Sequence, residues 1–302
     1  MGLYGGDQFK DKVAIVTGSG GGIGQAYAEA LAREGAAVVV ADVNVEGAQK
    51  VADAIKGEGG NALAVRVDVS DPDSAKEMAA QTLSEFGGID YLVNNAAIFG
   101  GMKLDFLITV DWEYYKKFMS VNLDGALLCT RAVYRKMAKR GGGGAIVNQS
   151  STAAWLYSNF YGLAKVGING LTQQLATELG GQNIRINAIA PGPIDTEANR
   201  STTPPQEMVA DIVKRIPLSR MGGAGGSRRH VSVPAVGSGE VDHRPDLQRR
   251  RRPDHPMSAD VRLGYIGLGN QGAPMAKRLV EWPGGLVVFD VRTESMAPLA
   301  EL

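Results

Sequence analysis

The chain has 302 residues, 40 of them glycine, with 32 basic side chains against 32 acidic ones. That length suits one large α/β domain or two small ones, and the balanced charge offers no general attraction to nucleic acid or to a membrane surface. The single cysteine, Cys129, in the apolar setting Leu127-Leu128-Cys129, excludes an internal disulfide framework and fits a reducing compartment. The N-terminus MGLYGGDQFKDK carries no apolar signal region and no run reaches transmembrane length, so a cytoplasmic location is expected.

In chain order, residues 12–17 read as a buried strand and residues 23–34 as a helix without Gly or Pro after its first turn. Between them lies Thr17-Gly18-Ser19-Gly20-Gly21-Gly22-Ile23-Gly24. Strand, glycine turn and helix together bring backbone N–H groups and a helix N-terminus up to a pyrophosphate. Glycine is needed there because a Cβ would block the turn or the phosphate. The apolar run 36–41 ends in Asp42, where an acid accepts hydrogen bonds from the adenosine ribose and repels a 2′-phosphate. No Arg lies in the glycine loop or directly after Asp42, which favours NAD over NADP. The alternative for Asp42 is a plain turn or capping acid.

Residues 46–57 read as a second helix, 62–69 as a third strand, and Ser70-Asp71-Pro72 as the start of a helix reaching about Phe86. Tyr91-Leu92-Val93 is a fourth strand with Asn94-Asn95-Ala96-Ala97 at its end, the edge of a parallel sheet where ligands bind. Residues 98–110 form a loop suited to a substrate wall, and helices span 111–140. Residues 145–148 are a fifth strand carrying Ser150 and Ser151 beyond its end, Tyr161 opens a long helix to Leu179, and 184–190 is a sixth strand. This alternation predicts a parallel, doubly wound sheet. Trp155, Tyr157, Phe160 and Phe99 serve either as an apolar pocket or as ordinary core packing.

Tyr161 and Lys165 stand one helical turn apart on one face. A free phenol is too weakly acidic to act as a base at neutral pH. A neighbouring ammonium favours the phenolate, which suits Tyr161 to accept a proton in alcohol oxidation and to donate one in carbonyl reduction.

Four motifs in order, TGSGGGIG, Asn94-Asn95-Ala96-Ala97, Tyr161-Gly162-Leu163-Ala164-Lys165 and Pro191-Gly192-Pro193-Ile194-Asp195-Thr196, make residues 8 to 222 resemble the short-chain dehydrogenase/reductase family. The resemblance implies a Rossmann-type α/β fold and a small-molecule alcohol or ketone as substrate. It implies catalytic roles for Asn122, Ser151, Tyr161 and Lys165, with Asn122 holding a proton-relay water. Asn122 has the alternative of satisfying a helix kink, and Ser150 competes with Ser151 because the interval to Tyr161 is short. Cofactor contacts are implied for Gly18, Gly22, Ile23, Gly24, Asp42, Asp68, Val69, Asn95, Ala96, Tyr161, Lys165, Ile194 and Thr196. No metal site is expected. Residues 197–216 read as a substrate-selecting lid. A 3-oxoacyl-thioester reductase is a near variant.

Past Gly222 the family pattern of a helix and a last strand with a Gly-rich end is missing. Residues 224–256 hold no Ile, Met, Phe, Tyr, Trp, Cys, Thr, Lys or Asn, and apart from Ser227, Ser232 and Ser238 every residue there has codons beginning with G or C. Shifting the frame by one base permits PEDLVGMCLFLLSD from Ala224 and ITGQIFNVDGGQIIR from Asp242. Met257-Ser258 then permits a stop overlapping a start. Residues 223–256 therefore read as an irregular, frame-shifted tail after a sheet lacking its usual C-terminal helix and strand. The basic run Arg249 to Arg252 has no aromatic neighbour for base stacking, so no nucleic-acid role follows. Residues 257–302, with Gly267-Leu268-Gly269-Asn270-Gln271-Gly272, resemble the start of the 3-hydroxyisobutyrate dehydrogenase family cut off after β-α-β. The short-chain family commonly forms homo-oligomers, partly through its C-terminal strand, and the altered C-terminus puts that assembly in question. It also leaves open a catalytically inactive product.

Overall fold

The computed structural model describes residues 9–140, 142–156, 159–202 and 221–223 and the two strands at 263–266 and 286–289. The chain divides into two compact units, Met1–Val241 and Asp242–Leu302.

In the first unit, β1 (Val13–Thr17), β2 (Ala37–Asp42), β3 (Asn61–Arg66), β4 (Tyr91–Asn94), β5 (Gly144–Gln149) and β6 (Ile184–Ile189) form one sheet in the order β3-β2-β1-β4-β5-β6. Every neighbouring pair is parallel. The helices are α1 (Gly22–Arg33), α2 (Val45–Gly57), α3 (Pro72–Phe86), α4 (Trp112–Met119), α5 (Gly125–Lys139) and α6 (Asn159–Leu179). Alternate residues of each strand face opposite layers. Ala14, Val16, Val38 and Val40 pack against Tyr27, Leu31, Val51 and Ile55 of α1 and α2. Ile15, Val39, Leu92 and Ile146 pack against Met78, Cys129, Val133 and Leu175 of α3, α5 and α6. Strands buried on both faces explain the continuous apolar runs. The strand order reverses between β1 and β4, which opens a crevice at their carboxyl ends.

Several boundaries differ from the sequence reading. Strand β3 stops at Arg66 rather than Val69. Asp68 takes the backbone N–H and the hydroxyl of Ser70 on its carboxylate, at 3.0 and 2.6 Å, and this local turn competes with the ladder. The helical region 111–140 is interrupted by a π-helical turn, Ser120–Asp124. A 3-10 turn, Thr152–Trp155, follows β5. Helix α6 begins at Asn159, before Tyr161; Asn159 sits at φ 37° and its side chain accepts from the Tyr161 N–H at 2.9 Å. Of the expected lid, α7 (Glu197–Thr202) is described, and 203–216 lie outside the described residues. A two-residue strand β7 (Ile194–Asp195) pairs with β8 (Gly222–Gly223).

In the second unit, β9 (Leu263–Ile266) and β10 (Leu286–Phe289) pair in parallel. The expected glycine turn at 267–272 and all of 224–256 lie outside the described residues.

Candidate active site

The glycine turn is built from β1 upward. Thr17, buried at the end of β1, accepts from the N–H groups of Asn95 and Ala96 at 3.1 and 3.2 Å. The Asn95 side chain donates to the carbonyls of Thr17 and Gly18 at 3.0 and 2.9 Å. Two residues implied as cofactor contacts, Asn95 and Ala96, therefore brace the turn through these bonds. Gly18 has φ 64°, and a Cβ there would lie 2.6 Å from the Ala96 Cα. A Cβ on Gly24 would collide with the Gly18 carbonyl. Gly21 and Gly22 face open space, and with Ile23 they bring the start of α1 to that opening. The opening is the kind of backbone cradle that a pyrophosphate fills.

Asp42 accepts from the Gly20 N–H at 2.8 Å and from the Asn44 N–H at 2.9 Å. Its carboxylate thus joins the end of β2 to the glycine turn, and among the described residues it makes no ion pair. The hydrogen bond from the Ser70 hydroxyl, the leading cause, holds the Asp68 carboxyl below the usual range. Val69 is buried against Gly125.

On the other side of the crevice, Ser150 and Ser151 separate. Ser150 is buried and donates to the Asn169 side chain at 2.7 Å. Ser151 hydrogen-bonds the Tyr161 side chain and caps the 3-10 turn, accepting from Ala153 N–H at 3.1 Å. Lys165 is buried and donates to the Gln149 carbonyl at 2.7 Å, with its ammonium 5.6 Å from the Tyr161 ring centre. Burial pulls the Lys165 ammonium down to about 8. Burial also pushes the Tyr161 phenol above its ordinary value, while the Ser151 hydrogen bond opposes that shift. The expectation that Lys165 draws the phenol down differs from what the protein alone shows: the ammonium is turned toward the Gln149 carbonyl, and desolvation outweighs the Ser151 hydrogen bond.

Asn122 is buried in the π turn and clasps Ile98, accepting from its N–H at 2.8 Å and donating to its carbonyl at 3.2 Å. A cavity of about 10 Å³ is lined by Thr17, Asn94, Asn122, Gln149 and Lys165 among others. The Asn94 side-chain oxygen is buried and, among the described residues, has no hydrogen-bond partner. Ile194 contacts Gly222, and the Thr196 hydroxyl accepts from the Asn199 N–H at 3.2 Å, at the start of α7.

Of the four candidate pocket aromatics, Phe160 is fully buried against Phe118, ring centres 4.7 Å apart, and belongs to the core. Phe99 lies 5.1 Å from the Tyr161 ring. Trp155 is half exposed. Tyr157 lies outside the described residues. The sequence reading gave Thr17 no role of its own, and it missed the π turn and the Tyr27 hydroxyl that donates to the Gln149 side chain at 2.9 Å. A polar residue at the end of an apolar strand was the available signal for Thr17. Nothing local marks Tyr27, which is 122 residues away from its partner.

Residues 18–226 match the family described as Enoyl-(Acyl carrier protein) reductase. The chain is 73% identical over 214 residues to an uncharacterised oxidoreductase of Mycobacterium tuberculosis, covering 71% of this chain and 86% of that one. It is 39% identical over 219 residues to the cis-4-hydroxycyclohexanecarboxylate dehydrogenase of Sinomonas cyclohexanicum, covering 72% and 86%. The crystal structure of a short-chain type dehydrogenase/reductase from Mycobacterium marinum superposes with a TM-score of 0.68 at 32% identity, covering 75% of this chain and 88% of that one. The chain belongs to the short-chain dehydrogenase/reductase family.

As a short-chain dehydrogenase/reductase it is an oxidoreductase, of a family that uses NAD(P). No helix among the described residues is long and apolar enough to cross a membrane. Cys129 is buried in this short-chain dehydrogenase/reductase, with its thiol pushed up to about 12 by burial, so it packs rather than reacts.

Proposed function

We propose that the chain is a cytoplasmic NAD-dependent oxidoreductase interconverting a secondary alcohol and a ketone, with Tyr161 as acid and base. The observation that carries this reading is the hydrogen bond between Ser151 and Tyr161 beside the buried Lys165. The backbone of Gly18, Gly22, Ile23 and Gly24 would hold the pyrophosphate, Asp42 the adenosine ribose, and Asp68 and Val69 the adenine. Asn95 and Ala96 would flank the cofactor through their backbone, Lys165 and Tyr161 would meet the nicotinamide ribose, and Ile194 and Thr196 the carboxamide. When bound, the nicotinamide donates or accepts the hydride.

In carbonyl reduction Tyr161 donates its phenolic proton to the substrate oxygen. Ser151 donates a hydrogen bond to that same oxygen as charge develops. Lys165, next to the one-water cavity shared with Asn122, lies on the route by which Tyr161 regains a proton. Oxidation runs the same steps backward. Asp42 supports NAD because an ionised acid there repels a 2′-phosphate.

Fluorescence titration of the purified chain with NADH and NADPH tests this. Saturable binding that favours NADH is expected; equal affinity for NADPH refutes the role given to Asp42. A second reading is a 3-oxoacyl-thioester reductase, which shares the acyl-carrier substrate of the family description but acts on a ketone where that description names an enoyl group; turnover of acetoacetyl-thioester exceeding that of simple ketones would establish it.

We also propose that residues 223–256 are a frame-shifted segment and that 257–302 begin a separate dehydrogenase-like reading frame. The family match ends at residue 226, and the M. tuberculosis relative has 14% of its length outside the matched region (100% less 86%). Sequencing the source DNA across Gly222–Gly223 tests this; a clean junction in an uninterrupted frame refutes it. If the altered tail prevents folding, the 302-residue product is inactive, and absent NADH binding with a non-cooperative melt would show it.

A further inference from the structure

Two segments leave the sheet beside Tyr161, one after β4 and one after β5, and both expose large apolar side chains. In the first, Asn122 clamps Ile98 at both of its backbone polar groups. Phe99 then lies against the Tyr161 ring. A Cβ on Gly100 would sit 3.3 Å from Ala198 of α7, so this segment and α7 close on each other. Beyond it Leu104 is 57% exposed and Phe106 77% exposed. In the second segment the 3-10 turn runs directly from Ser151, and at about 2.0 Å per residue it holds Trp155 within roughly 8 Å of the serine along its axis. Trp155 and Leu156 are 54% and 66% exposed.

Exposed apolar side chains on two segments that leave the sheet beside one site suit an apolar ligand. Charge sharpens the choice of ligand. The Lys103 ammonium is drawn over the Tyr114 ring at 4.9 Å, and Arg200 of α7 is paired with Asp195. Among the described residues the two segments thus carry one cation, Lys103, so little positive charge stands ready for a carboxylate or phosphate. A polyol would leave hydroxyls against apolar side chains without partners, which is unfavourable.

Building on the alcohol and ketone reading above, we infer that the substrate is a neutral, hydrocarbon-rich secondary alcohol or ketone. Its chain or ring rests on Phe99, Trp155 and Leu156 while its oxygen meets Ser151 and Tyr161. In reduction the hydride from NADH forms the new C–H bond, the Tyr161 proton completes the hydroxyl, and NAD⁺ leaves.

The test is a series of 2-alkanones from butanone to decanone, with sorbitol as the polyol. Binding is measured by calorimetry on the full-length Tyr161→Phe chain with NADH, and turnover on the unmodified chain. The dissociation constant is expected to fall about two- to fourfold per added methylene. Trp155→Ala and Leu156→Ser should flatten that trend with NADH affinity retained, which also reports a folded protein. An affinity independent of chain length, or sorbitol bound as tightly as the alkanones, overturns the inference. A rising affinity without any ketone turnover by the unmodified chain would support the substrate class and instead refute the reaction assigned to the site.

Discussion

In the proposed mechanism Lys165 and Tyr161 carry most of the chemistry, and both are largely buried. The Lys165 ammonium sits at about 8, below its ordinary value of 10.5. Between those values the unfolded chain binds more protons than the folded one, so stability rises as pH increases from about 8 to about 10. Relative to Lys165→Met, the unmodified chain should gain on the order of 3 kcal/mol across that window, read from denaturant melts at several pH values. The Tyr161 phenol is raised by burial, so the protonated form prevails at neutral pH. Ketone reduction should therefore hold steady through pH 7 and decline at alkaline pH, while alcohol oxidation should climb with pH. Profiles of kcat/KM in both directions check this. Tyr161→Phe should lower kcat/KM by about 10²- to 10⁴-fold, a loss far larger than any weakening of NADH binding. The spacing of Tyr161 and Lys165 was readable from their helical period, whereas the direction of the phenol shift was not. It depends on how deeply the fold buries both groups.

The glycine turn shows how an element is specified by contact as well as by conformation. Gly24 lies inside α1, where a helix former would ordinarily be preferred. Its Cβ position is taken by the Gly18 carbonyl, so Gly24→Ala should lower the melting temperature and weaken NADH binding. Gly57, in the last turn of α2, is exposed and has nothing near its Cβ position. Gly57→Ala should raise stability by about 0.4–1 kcal/mol by restricting the unfolded chain. Thermal melts of the two variants side by side separate the effects. Both glycines look alike as letters, and one is needed only because Asn95 and Thr17 pull the turn into close contact. Likewise the strands were legible from their apolar runs. The π turn was not, since it arises where Asn122 reaches across to Ile98.

For the molecule as a whole, the sheet is the decisive object. Among the described residues it ends at β6, where the family pattern would add a further strand. A frame-restored chain would supply an amphipathic helix and that strand, the helix alone burying about six more large apolar side chains at roughly 1.5–3 kcal/mol each before entropy is counted. Its denaturation midpoint and denaturant slope should both exceed those of the 302-residue chain. Equal values for the two chains would show that the tail does not limit the fold.

The amino-acid sequence by itself determined the parallel α/β class, the glycine turn with Asp42, and the Tyr161–Lys165 pair. Each of these is written in local periodicity or short spacing, which backbone geometry converts directly into structure. Only the tertiary structure decided which serine meets Tyr161, that Phe160 is core while Phe99 faces the site, and that Tyr27 holds Gln149. These depend on where helices and loops land after the sheet forms. Side chains far apart in sequence compete there for the same few positions, and burial then sets their chemistry.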